Sequence, residues 1–226
     1  MFEQPIVRIM LHAWLITILG VLIAGIFSGN PDMYNLAFLA MGVTFSAVVF
    51  LKGREFGFDT TRGKFLLIGA PVGIILGLAV LLNNPFLHIL FRLLMLSALV
   101  FMFLNLRIKM KIRFRSSHMI IPGLFGILII FLIFILMHEA PLNNWFTLTI
   151  AGIDVLSLVM IVLNLTLYLG GEIAREWLFR MVSIMVLIVG DILYLLDMAG
   201  KLNLHLELLL WFLPFFVMSN VLIYTE

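Results

Sequence analysis

The sequence predicts an all-α membrane protein, a bundle of eight transmembrane helices with both termini in the cytoplasm. The first observation is composition: of the 226 residues, 64% are hydrophobic and only 12% are charged. A soluble domain is about half apolar and about a quarter charged, so a soluble fold of this length has no room to bury so much apolar surface. The second observation is that apolar stretches alternate with short polar breaks. The third is that basic residues concentrate in alternate breaks.

Eight apolar stretches, called spans 1 to 8, are each long enough to cross about 30 Å of hydrocarbon as a helix rising about 1.5 Å per residue. Span 1 has no small-residue cleavage site after it, so we expect a retained helix and not a signal peptide. No break between spans is long enough to fold separately, so the sequence predicts a single transmembrane domain. The predicted spans are about 6–27, 34–51, 65–83, 87–107, 119–138, 145–169, 177–198 and 205–225.

Basic residues predict the orientation. The second break, residues 52–64, and the fourth, residues 107–118, carry most of the Lys and Arg residues, and the sixth carries Arg175. The first, third and fifth breaks carry no Lys or Arg, and the seventh carries only Lys201. Because basic loops stay cytoplasmic, the even-numbered breaks and both termini are predicted inside, with four hairpins opening outward.

The basic run Arg107–Arg115 alternates basic and apolar residues at the inner end of span 4. We predict that it lies on anionic lipid headgroups, with each basic residue contributing about 1 kcal/mol. Nucleic acid is not an expected partner, because no folded domain presents these residues. The sequence contains no cysteine, which excludes disulfides, a thiol nucleophile and a Cys-ligated metal. We predict no cofactor and no metal site.

Span 3 carries Gly69, Gly73 and Gly77 at four-residue spacing on one helix face. Small residues so spaced let two helix backbones approach closely in lipid, so we predict a tight helix–helix seam. Pro71 lies between the first two and is expected to bend the helix. The alternative is that this segment is a hinge for alternating access.

Two carboxylates lie deep in the apolar spans and organise the functional prediction. Asp154 lies about nine residues below the outer end of span 6, and Asp191 about seven below the outer end of span 7. At about 1.5 Å per residue their depths differ by roughly 3 Å, so adjacent antiparallel helices can bring them together. Inserting each carboxylate at the bilayer centre costs about 2.5–3.5 kcal/mol, so each is expected to have an interaction partner or a functional role. Arg92, about five residues into span 4, lies at a similar depth.

Polar residues at the outer ends extend this group. His88 lies one turn outside Arg92, Tyr194 lies one turn from Asp191 on the same stripe, and Glu207 lies near the outer rim. One interpretation is structural: Arg92 pairs with Asp191 or Asp154 and locks three helices together. The functional interpretation is a water-accessible pocket open to the outside, lined by these six residues. It predicts a sensory or transport module that recognises a ligand without covalent chemistry, and the sequence does not separate the two.

An intramembrane hydrolase is the alternative of another class, with Asp154 and Asp191 as its catalytic pair. Ile188-Val189-Gly190-Asp191 resembles the GxGD motif of intramembrane aspartyl proteases. The first glycine of that motif is missing here, as is the proline-containing signature in a later helix. The chemistry also needs two carboxyl groups that share one proton, and a neighbouring arginine opposes that state.

The stretch Arg180 to Tyr194, with Gly190 and Asp191 near its end, resembles a late helix in the membrane sensory regions of prokaryotic histidine kinases and diguanylate cyclases. In those proteins an arginine at the inner end and a G-D-x-x-Y patch recur. Such proteins carry a cytoplasmic output domain, whereas this sequence ends directly after span 8. The resemblance implies that signalling passes to a separate partner, or that this is only the membrane part.

Overall fold

The computed structural model describes residues 4–57, 59–110, 127, 145–166, 172–198 and 205–224. Nearly all of these residues are helical, in seven helices. Predicted span 5, about 119–138, lies outside the described residues apart from Ile127. The helices are α1 (Pro5–Ser28), α2 (Pro31–Phe56), α3 (Thr61–Leu81), α4 (Pro85–Met110), α5 (Trp145–Thr166), α6 (Glu172–Met198) and α7 (Leu206–Tyr224).

Six of these helices, all except α6, are long and apolar enough to cross a membrane by length and composition. In α6 the described apolar stretch, Met181–Tyr194, is shorter. A chain with this many apolar helices is a multi-pass membrane protein. Helices suit this role because in lipid each spanning segment must satisfy its own backbone hydrogen bonds.

Local signals in the sequence set the helix starts. Asn30 precedes Pro31, and its side chain accepts hydrogen bonds from the first backbone amides of α2. Asn84 precedes Pro85 and caps α4 in the same way. An oxygen-bearing cap followed by proline suits a helix N-terminus, where the first amides have no partner within the helix.

Several predicted spans are shorter than the observed helices at the ends predicted to be cytoplasmic. Span 2 is predicted to end near residue 51, but α2 continues to Phe56, and α4 continues past 107 to Met110. The segment 52–56, predicted as part of a break, is helical. The helical hydrogen bonding of α2 continues beyond the apolar stretch. There Lys52 and Glu55, three residues apart, form a 2.8 Å ion pair that helps to stabilise this turn.

The predicted seam on α3 is confirmed, and α2 is its partner. A Cβ on Gly73 would lie 2.5 Å from the Gly42 carbonyl oxygen, and one on Gly77 would lie 3.0 Å from the Leu39 Cα. Gly69 contributes little, since its nearest neighbour would be 3.9 Å away. The helix continues through Pro71, and Ser46 on α2 accepts a 3.1 Å hydrogen bond from the Ile74 amide one turn later.

The bundle packs in two groups. Helix α2 contacts α1, α3 and α7 around one large apolar core, which includes Met41 and Phe212. A smaller core lies among α4, α5 and α6, around Leu99 and Met181. Helices α6 and α7 pack closely, and α4 packs on both α3 and α5. The deep polar residues lie where these groups meet.

Candidate functional site

A buried ion pair joins α4 and α6 in the outer half of the predicted bundle. Arg92 Nη2 donates to Asp191 Oδ1, and the two side chains are 4% and 1% exposed. The predicted pairing of Arg92 with one of the two deep aspartates is thus confirmed for Asp191. A buried pair of this kind is stable only when hydrogen bonds satisfy the remaining polar atoms as well.

Trp211 on α7 supplies one of those bonds. Its indole Nε1 donates a 2.8 Å hydrogen bond to the same Asp191 Oδ1. The Arg92 guanidinium carbon lies 4.6 Å from the Phe91 ring centroid and 5.8 Å from that of Trp211, within the range of cation–π attraction. Three helices therefore converge on one carboxylate oxygen.

The pair is not fully satisfied. Arg92 Nε and Asp191 Oδ2 are buried and have no hydrogen-bond partner in the described part of the chain. Thr147 Oγ1 on α5 is also buried and has no hydrogen-bond partner among these residues. Buried polar atoms are nearly always paired, so Arg92 Nε and Asp191 Oδ2 leave the ion pair with unused hydrogen-bonding capacity among the described residues.

Asp154 completes the group from α5. It is buried, and it is close enough to interact with both Asp191 and Arg92. No described basic residue forms an ion pair with it. Thr147 lies seven residues earlier, on the same face of α5. The two aspartates approach as expected, but not through adjacent packed helices: α5 packs mainly on α4 and α6 on α7, with only a small α5–α6 contact.

His88 and Tyr194 lie on the outer side of the ion pair, in an aromatic group with Trp211. The His88 and Trp211 ring centroids are 5.5 Å apart, those of Tyr194 and Trp211 are 5.3 Å apart, and His88 stacks on Tyr194 at 6.3 Å. Phe146 on α5 approaches His88 edge-on at 6.4 Å. The rings of His88, Tyr194 and Trp211 therefore form one aromatic group beside the ion pair.

Gly190 makes the Trp211 contact sterically possible. A Cβ at this position would lie 2.6 Å from Trp211 Cδ1 and 2.8 Å from its Nε1. Only glycine lets the indole lie across this turn of α6, next to the carboxylate that it bonds. The glycine before Asp191, which the sequence analysis compares with a protease motif, has this packing role.

Glu207, the sixth predicted site residue, belongs to a separate cluster nearer the outer end. His205 Nδ1 lies 3.3 Å from Glu207 Oε1 and 3.8 Å from Asp197 Oδ2. One donor atom from each residue lies within 4.8 Å of the other two. Tyr194 lies between the two groups and interacts electrostatically with Asp191, Asp197 and Glu207.

Sequence reasoning missed Trp211, Phe91 and Gly190. Charge identifies ionisable side chains within an apolar span. An indole in such a span is indistinguishable in sequence from an aromatic side chain that packs against lipid. Its one signal is that an indole N–H needs an acceptor when buried. Asn164, predicted to form an interhelical hydrogen bond and not a site, donates to the Leu99 carbonyl at 3.3 Å, as expected.

No known protein family, curated protein sequence or solved structure matches this chain.

Proposed function

We propose that the protein recognises a small polar ligand in the outer half of the membrane, as a sensory or transport module without covalent chemistry. The observation that supports this is the incomplete satisfaction of the Arg92–Asp191 pair. Arg92 Nε and Asp191 Oδ2 lack partners, and no described basic residue pairs with Asp154. A purely structural pair is expected to use up its hydrogen-bonding capacity, because each buried unpaired group costs about 1–3 kcal/mol.

Charge balance suggests how the site selects its ligand. One guanidinium faces two carboxyl groups, so full ionisation leaves a net negative charge in a region of low dielectric. A proton or a cationic ligand group at Asp154 removes that imbalance, and an anionic group competes with Asp191 for Arg92. His88, Tyr194 and Trp211 would contact the remainder of the ligand through ring faces and polar ring atoms.

The hydrolase alternative receives less support from this arrangement. An aspartyl dyad needs two carboxyl groups that share a proton, and each must reach the reacting water. Here Asp191 is engaged by both Arg92 and Trp211. Both donors favour the ionised carboxylate, and this opposes the single shared proton of such a dyad, even though Asp154 also interacts with Asp191 through a side-chain hydrogen bond.

We also propose that the chain crosses a cell membrane with eight spans, that both termini lie in the cytoplasm, and that the site opens outward. The basic run Arg107–Arg115, of which residues 111–115 lie outside the described part, contacts anionic headgroups. The resemblance of span 7 to the sensory regions of prokaryotic histidine kinases and diguanylate cyclases adds a separate signalling partner on the cytoplasmic side.

Thiol accessibility tests whether water reaches the site, since the natural chain has no cysteine. His88→Cys and Leu90→Cys form a matched pair on α4, about 3 Å apart in depth. His88 faces the site, whereas Leu90 is 42% exposed on the outer surface of the bundle. We expect a small membrane-impermeant thiol reagent added outside intact cells to label His88→Cys and not Leu90→Cys. Failure to label His88→Cys, with an Asn83→Cys loop control labelled, would refute an outward-open site.

A further inference from the structure

We infer that Asp197, His205 and Glu207 form a binding site for a divalent transition-metal cation at the outer end of α6 and α7. This inference does not rest on the ligand site proposed above, because none of the three residues takes part in the Arg92–Asp191 pair. The sequence by itself predicts no metal site. The three residues become a set only when the ends of the two helices come together.

Geometry is the first argument. Zn²⁺ binds imidazole nitrogen and carboxylate oxygen at about 2.0–2.2 Å, which places tetrahedral ligand atoms about 3.4 Å apart. His205 Nδ1 lies 3.3 Å from Glu207 Oε1 and 3.8 Å from Asp197 Oδ2, and all three donor atoms lie within 4.8 Å of one another. Small side-chain rotations close this triangle around an ion.

Charge and burial provide the second argument. The Glu207 side chain is only 6% exposed, and Asp197 brings a second carboxylate towards it. Within the described residues neither carboxylate forms an ion pair with Lys or Arg, and the ion-pair contact of each is with His205. Burying a carboxylate without a positive partner is costly. A divalent cation neutralises both carboxylates at once and needs the imidazole only as a neutral ligand.

The ligands are held by packed helices. Asp197 lies in the last turn of α6, Glu207 in the first turn of α7, and these two helices pack closely. His205 comes directly before α7, and its ring lies 6.0 Å from that of Tyr34 on α2. Ligands held on packed elements keep the donor spacing that a metal ion needs.

The ligand types select the metal. Imidazole suits Zn²⁺ and other transition metals, whereas Mg²⁺ and Ca²⁺ prefer sites made only of oxygen ligands. Three protein ligands leave at least one coordination position open. The other way to balance the cluster is a proton on His205, which requires no metal.

Metal titration of the purified full-length protein tests the inference. The affinity tag is removed, bound metal is stripped with a chelator, and Zn²⁺, Mn²⁺ and Mg²⁺ are added separately before desalting and elemental analysis. We expect about one equivalent of Zn²⁺ per chain and no retained Mg²⁺. His205→Ala and Glu207→Gln should each weaken Zn²⁺ binding by about tenfold or more, since even residues behind the ligands have effects of that size.

His12→Ala is the matched control. It removes a histidine that bonds Tyr224 at the opposite end of the bundle, and it should bind Zn²⁺ like the unmodified protein. Thermal unfolding in excess chelator shows whether each variant is folded, and Asp197→Asn provides a second test if Glu207→Gln is not. Absence of retained Zn²⁺ in the unmodified protein, or equal affinity in a folded His205→Ala variant, would overturn the inference and leave a protonated His205 as the balancing charge.

Discussion

The indole Nε1 of Trp211 donates a 2.8 Å hydrogen bond to Oδ1 of Asp191, the oxygen that Arg92 also contacts. The indole thereby ties α7 to the ion pair between α4 and α6. The second oxygen of the carboxylate remains without a partner in the described part of the chain.

Removing the indole N–H of Trp211 should lower the unfolding free energy while an aromatic ring remains in place. Trp211→Phe keeps a ring in place but deletes the donor, so we expect a loss of about 1.5–3 kcal/mol in unfolding free energy, typical for a bond to a charged acceptor. Trp14→Phe is the control, because Trp14, on the exposed side of α1, donates a hydrogen bond to Thr44 on α2. Chemical unfolding in detergent should show a smaller loss for the control. Equal losses would mean that the Asp191 bond has no special strength.

The ion pair should show strong coupling in a double-mutant cycle. Arg92→Leu leaves both aspartates without a cation, and Asp191→Leu leaves Arg92 with Asp154 alone. Breaking a buried pair typically costs about 3–5 kcal/mol, whereas removing both partners costs much less. We therefore expect the double variant to recover part of the loss in unfolding free energy. A parallel cycle with Asp154→Leu should recover less, because the structure pairs Arg92 with Asp191. Additive losses in both cycles would show that no pair forms.

Gly190 should not tolerate even a methyl group. In Gly190→Ala the new Cβ would meet the Trp211 ring at 2.6 Å, so the indole must move away from Asp191. We expect a loss of about 1–3 kcal/mol in unfolding free energy, as for other overpacked sites. Gly152→Ala is the matched control, since its Cβ would meet nothing within 4 Å. That variant should be neutral or slightly more stable, because alanine restricts the unfolded chain, and similar losses in both would show that the effect does not come from the contact with Trp211.

The seam between α2 and α3 should depend on Gly73. In Gly73→Leu the side chain would collide with the Gly42 carbonyl oxygen and the Phe45 ring, and hold the two backbones apart. We expect a clear drop in thermal stability in detergent. Gly20→Leu on α1, where a Cβ meets nothing within 4 Å, should keep the unmodified melting temperature. A stable Gly73→Leu variant would show that this contact does not hold the helices together.

Orientation can be measured separately from the site. The basic excess at residues 52–64 predicts that this loop is cytoplasmic, and the loop between α3 and α4 is predicted outside. A cysteine at Asp59 should resist an impermeant thiol reagent in intact cells and react after permeabilisation, while one at Asn83 should react at once. Both positions are exposed. The reverse pattern would invert the proposed topology.

The sequence alone determined the class of the protein, most helix positions and the presence of a paired charge within the apolar spans. Hydropathy, caps such as Asn30–Pro31 and the cost of burying a charge are local properties. In lipid each helix also satisfies its own backbone without help from neighbours. The sequence therefore predicts that Arg92 needs an aspartate, and it identifies Gly73 and Gly77 as contact points.

Only the tertiary structure decided which groups meet. Arg92 and Asp191 are 99 residues apart in the chain, and the sequence alone did not distinguish Asp191 from Asp154 as the partner. The indole of Trp211 and the Gly42 carbonyl that faces Gly73 carry no signal in hydropathy or helical period. Apolar helices in a bilayer lack a hydrophobic force that selects neighbours, so close packing of small residues and a few buried hydrogen bonds select them instead.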